Sequence, residues 1–157
     1  MRNKALAYSQ VAGRFPELTV KGFAVLEQAA ATLPVDAEVQ AAHGVVLSVA
    51  GRKEQQRAAQ ALQRSIDAGS KSAEIRTHLA RLRMQQGEVT AAIELNKESI
   101  QIDLYYTAAY IDLAQIYSML KDESKAVEAL KSVLEIDSGD DTAREALPKI
   151  NLSTGKK

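Results

Sequence analysis

The sequence predicts an all-α fold: a solenoid of antiparallel helical hairpins, about four of them, closed by a C-terminal capping helix. Three observations carry this. Apolar residues recur at helical spacing, as at Val20, Phe23, Leu26, Ala29 and Ala30. The pattern then repeats at one fixed step: Leu79 and Leu113, Ala80 and Ala114, Ala92 and Ala126, Ile100 and Leu134, Ile102 and Ile136 are each 34 apart by subtraction. The composition agrees. Hydrophobic residues make up 46 % of 157 residues but aromatics only 4 %, so the core is built of Ala, Leu, Ile and Val, as close helix packing needs. Three prolines and eight glycines leave few helix breakers.

The same composition narrows the function classes. Lys plus Arg equals Asp plus Glu at 20 each, which argues against a nucleic-acid surface. The chain has no cysteine, so neither a disulfide scaffold nor a thiolate metal site is expected. No apolar run reaches the roughly 18 residues of a membrane span, and the first residues do not read as a secretory signal.

The elements follow in order. Asn3–Ala12 reads as a helix with Leu6, Ala7, Val11 and Ala12 apolar, and Gly13-Arg14-Phe15-Pro16-Glu17 as the turn after it. The second helix runs to about Thr32 and ends before Leu33-Pro34, because a residue preceding proline avoids the helical region. It is expected to exceed a standard second helix by about four residues, close to one turn of 3.6. The first helix is short at its start, which suggests a segment cut from within a longer array.

The second hairpin spans 36–69, with Asp36 as N-cap. Ala41, Ala42, Gly44, Val45 and Val49 give its first helix small side chains, and Gly51 lies at the turn. Ala58, Ala59, Leu62 and Ile66 face the core from its second helix. Two extra residues fall near Lys53-Glu54, since Gly44 to Ala80 is a step of 36. The third hairpin, 73–104, turns at Gln86-Gly87 and carries polar residues at three positions expected on its seam: Arg83, Asn96 and Ser99. It is expected to be the weak link, with Arg83 either close to Asn96 or reaching water along its aliphatic stem. The fourth hairpin, 107–138, turns at Lys121-Asp122. Asp140 and Asp141 precede a short cap, 142–147, stopped by Pro148, and 151–157 reads as a disordered tail.

The run Thr107-Ala-Ala-Tyr110-Ile-Asp-Leu113-Ala114-Gln-Ile-Tyr117, followed by Ala126, Leu130 and Leu134, resembles the tetratricopeptide (TPR) repeat. The resemblance implies a right-handed α-solenoid whose first helices line a concave face. Gly44 then occupies the family's close-packing glycine position. The resemblance also implies groove positions at Glu38, Ala41, Ala42, Val45 and Val49, at Glu74, Thr77, His78 and Arg81, and at Ala108, Ile111, Asp112 and Gln115. The Lys, Asn and Arg set with which some members grip a C-terminal carboxylate is not matched, since residues such as Ala41, Ala42 and Val45 stand at those places. An asparagine ladder is missing too, with Ala42, His78 and Asp112 at those places.

Chemical motifs are sparse. His43 and His78 are the only histidines, lie on different hairpins and have no H-x3-H partner, so they read as packing or groove residues. No G-x-S-x-G elbow occurs, and Ser153-Thr154-Gly155-Lys156-Lys157 lacks the first glycine of a phosphate loop. Asn151-Leu152-Ser153 fits a short glycosylation sequon. Asp122 and Lys125 read as a solvated helix face. Tyr105, Tyr106, Tyr110 and Tyr117 read as packing where hairpins three and four meet.

The expected function is therefore a protein-interaction module without cofactor, metal or catalytic set. Its partner is a protein or peptide segment, with self-association as a further outcome. The expected groove comprises Ala41, Ala42, Val45, Thr77, His78, Arg81, Ile111, Asp112 and Gln115. His78 and Arg81, three apart, share a helix face and could offer donors to one carbonyl or carboxylate of the partner. Asp112 could instead pair internally with His78. The alternative is a structural arm of a larger enzyme or secretion component.

Overall fold

A computed structural model describes the backbone of residues 1–11 and 16–154; statements about side chains concern 1–7 and 22–150. Among the described residues nine α-helices follow one another: α1 Arg2–Val11, α2 Pro16–Thr32, α3 Ala37–Val49, α4 Gln55–Asp67, α5 Ala73–Gln85, α6 Val89–Ile102, α7 Thr107–Met119, α8 Glu123–Ile136 and α9 Asp141–Thr154. Of the expected turn at 13–17, residues 13–15 lie outside the described residues, and Pro16 and Glu17 already belong to α2. Among the described residues there is no strand.

The packing is strictly local. α1–α2, α3–α4, α5–α6 and α7–α8 form antiparallel hairpins, and each hairpin touches the next through α2–α3, α4–α5, α6–α7 and α8–α9. First helices also touch across units, α1 with α3, α3 with α5, α5 with α7 and α7 with α9, whereas second helices make no such contacts. The stack therefore curves with its first helices inside and its second helices outside. Four apolar clusters follow one another along it, centred on Leu26 and Val39, on Leu47 and Leu62, on Ala80 and Ala92, and on Leu113 and Val133.

Caps and turns repeat with the units. Asp36, Ser72 and Asp140 each accept from the backbone N–H three residues on, at 3.0, 3.3 and 2.8 Å. The matching place before α7 is Tyr106, whose side chain makes no cap. After α5, Gly87 at φ 82° allows Glu88 N to reach Arg83 O at 2.9 Å. After α7 the same bond runs from Asp122 N to Tyr117 O at 2.9 Å, but the left-handed residue is Lys121, at φ 60°. The two extra residues of the second unit are taken up in a 3-10 turn, Arg52–Glu54.

Close approach within hairpins explains two sequence features. A Cβ at Gly44 would lie 2.6 Å from Leu62 Cγ and 2.9 Å from its backbone nitrogen, so α3 and α4 meet where only glycine fits. Ser65 and Ser99, 34 apart, repeat one clasp. Ser65 Oγ donates to Ala37 O at 2.8 Å and Ser99 Oγ to Ala73 O at 2.7 Å, each tying the end of a second helix to the start of its first.

Several expectations are corrected. α9 does not stop at Pro148 but continues to Thr154, so the cap exceeds 142–147 and residues 151–154 are helical. Ala143, Ala146, Leu147 and Ile150 form one stripe against the last cluster, while Pro148 faces solvent. Burial of that stripe carries the helix past the missing N–H. Of the two outcomes expected for Arg83 the second holds: it makes no hydrogen bond to Asn96 and its guanidinium reaches the solvent-facing turn. Its guanidinium donates to Gln86 Oε1 at 3.2 Å and Glu88 Oε1 at 3.3 Å, at the partly exposed turn. Ser99 is no defect in the seam, because it forms the clasp just described. Of the four tyrosines, Tyr110 and Tyr117 pack with Ile93 and Ile100 at the junction, but Tyr105 is 77 % exposed.

Candidate functional site

The inner face is the surface made by the first helices, and it starts from small side chains. Ala41, Ala42 and Val45 of α3 are half-buried. Ala41 and Val45 lean on the second cluster and Ala42 on the first, so the face there is shallow and apolar. A cleft of about 730 Å³ runs beside it, lined by Leu6, Glu38, Ala41, Lys71 and Ile75 among others.

Thr77 does not belong to this face. It is fully buried, and its Oγ1 lies 3.0 Å from Ser99 Oγ. The Ser99 hydroxyl proton goes to Ala73 O, which leaves Thr77 as donor in that pair. The repeat resemblance implied a groove position for Thr77, whereas this hydroxyl chain holds it inside the third hairpin. Ile111 is also half-buried, packed on the last cluster.

His78, Arg81, Asp112 and Gln115 come together on the facing sides of α5 and α7. Arg81 grips Asp112 with both ends of its guanidinium, Nε to Oδ2 at 2.7 Å and Nη2 to Oδ1 at 3.1 Å. The internal pair thus forms with Arg81 as donor rather than His78. His78 instead lies 3.7 Å from Glu74 Oε1 on its own helix. Arg81 and His78 do not converge on one acceptor, because Asp112 has taken Arg81. Burial pushes the Asp112 carboxyl above the usual range, while the Arg81 hydrogen bond pulls it back. The same bond raises the Arg81 guanidinium further.

One turn on, a pocket of about 240 Å³ opens between α5 and α7. Ala80, Met84, Ile116 and Met119 supply its apolar wall, Arg81 and Asp112 its charged edge, and Gln85 and Gln115 further amides. Asn96 of α6 also lines it, fully buried, and neither its Oδ1 nor its Nδ2 has a hydrogen-bond partner. Sequence reasoning missed Met84, Met119 and the role of Asn96. Extending the α5 stripe one more turn reaches Met84, but nothing in the sequence places a second-helix residue in an inner-face pocket. No group of His, Cys, Asp or Glu among the described residues could hold a metal ion.

No family model and no curated protein matches the chain by sequence. Solved structures do match in shape. The chain is similar to the crystal structure of MamA protein, with a TM-score of 0.81 at 20 % identity, covering 99 % of this chain and 85 % of that one. It is similar to YrrB, described as a TPR protein with an unusual peptide-binding site, at TM-score 0.75 and 14 % identity over 96 % of this chain and 77 % of that one. It is also similar to the first TPR of Spaghetti (RPAP3) bound to the HSP90 peptide SRMEEVD, at TM-score 0.62 and 19 % identity over 72 % of this chain and 96 % of that one. The stacked hairpins, the inner first helices and these likenesses together give the chain the tetratricopeptide-repeat fold.

Proposed function

We propose that the chain is a protein-interaction module that holds an extended or helical segment of a partner protein along its inner face. The observation that carries this is the mutual contact of first helices, which leaves one continuous, partly apolar surface between Ala41 and Gln115. Small side chains at Ala41 and Ala42 leave room for a ligand backbone. The solved neighbours described as peptide-bound or peptide-binding support the same reading. Arg81 is committed to Asp112, so the inner face near it attracts no free carboxylate and would favour apolar and neutral polar side chains.

The test is site-specific photocrosslinking in cells. A benzoylphenylalanine is placed at exposed inner positions, Glu74 or Gln115, and at exposed outer positions, Lys97 or Glu128. We expect one discrete partner band from both inner positions and none from the outer ones. Bands from the outer positions alone would move the binding surface to the second helices.

A further inference from the structure

We propose that the pocket between α5 and α7 is a recognition site for a primary carboxamide, and that it takes a glutamine side chain of the bound partner segment. This rests on the inner-face reading above and names the side chain that the face selects. Its anchor is Asn96. A buried amide that lacks both a donor and an acceptor partner is rare in folded proteins, because each unmatched polar group costs free energy. Here both amide atoms are unmatched, and the residue lines a pocket rather than a closed core.

The pocket's chemistry selects the occupant. Asn96 offers an acceptor and a donor side by side, which another carboxamide meets with a donor and an acceptor. The charged edge is already neutral, since Arg81 and Asp112 satisfy each other. An entering carboxylate would meet Asp112, and an entering ammonium would meet Arg81. The Met84, Ile116 and Met119 wall suits a stem of methylenes. Glutamine combines that stem with that end group. Asn96 has no exposure of its own, so the entering group reaches it as the unbranched methionine side chains in the wall swing aside.

The experiment uses the full chain, labelled with nitrogen-15, and three tripeptides blocked as N-methylamides so that only glutamine carries a primary carboxamide, Ac-Ala-Xaa-Ala-NHCH3 with Xaa glutamine, glutamate or methionine. The side-chain NH2 resonances of Asn96 are identified by their loss in Asn96→Leu. We expect them to shift saturably with the glutamine peptide, at a dissociation constant about tenfold below those of the other two. Asn96→Leu should abolish that preference, and so should Asn96→Ala, which removes both amide atoms without adding bulk. Equal affinities, absent Asn96 shifts, or a preference that survives both variants would overturn the proposal. Discrete crosslinks from Glu74 and Gln115 alongside equal affinities would remove the amide pocket and keep the inner face.

Discussion

Polar groups buried in this stack fall into two kinds, those that found a partner and those that did not. Ser65, Ser99 and Thr77 are buried and matched, and they stitch the two helices of a hairpin to each other. Asn96 and His43 are buried and unmatched. Replacing Asn96 with leucine should therefore raise stability, by about 1–2 kcal/mol in urea unfolding, because the unpaired amide disappears while the branched shape is kept. His43 is 8 % exposed, and burial lowers its pKa from the ordinary 6.5. Glu27 and Glu54 oppose that shift, and Arg57 and Arg64 reinforce it. A histidine depressed in the folded state stabilises above its unfolded pKa and loses that contribution as pH falls through the folded one. Melting temperature should thus drop below about pH 6.5, and His43→Phe should flatten that part of the profile. Gly44→Ala should cost about 1–3 kcal/mol, since the new Cβ meets Leu62 backbone as well as its side chain. The sequence made the Gly44 contact legible through its resemblance to the repeat, where a close-packing glycine stands at that position. It did not show which of the seam residues Arg83, Asn96 and Ser99 would be satisfied. That depends on distances between the two helices of one hairpin, far apart in sequence.

Among the elements, the repeat made helices easy to place and their ends harder. Gly87 and Lys121, 34 apart, occupy the same left-handed position after a first helix. Glycine enters that region freely, whereas a side chain is strained there. Lys121→Gly should add about 0.5–1 kcal/mol, read as a higher midpoint in denaturant with an unchanged slope. The reverse change, Gly87→Lys, should cost a similar amount. The last helix shows where local rules gave way. Proline read alone ends a helix at Leu147, yet Ile150 continues the buried stripe of Ala143, Ala146 and Leu147. Packing of that stripe outweighed the lost hydrogen bond. The inner-face residues were legible in part, since the repeat resemblance put Arg81, Asp112 and Gln115 together, but it also put Thr77 with them. The choice of Arg81 over His78 as partner of Asp112 turned on side-chain reach, which spacing does not encode.

For the whole molecule, nearest-neighbour packing makes stability close to a sum over units and their interfaces. Asn96 lies in the third unit, so hydrogen exchange should find 73–102 less protected than 107–136. Better protection there would mean that the clasps of Ser99 and Thr77 outweigh the unmatched amide. Viewed mechanically, the stack is a coiled spring wound around its first helices. The Arg81–Asp112 pair is a strap across two successive turns on the inner radius, where a small change in spacing is magnified at the ends. Cutting that strap should soften the coil without unwinding its hairpins. In Arg81→Gln with Asp112→Asn, small-angle scattering should then report a broader spread of end-to-end lengths while helicity stays constant. A partner seated across the same two turns would stiffen the spring again, so grip and pitch would be set by one pair of residues.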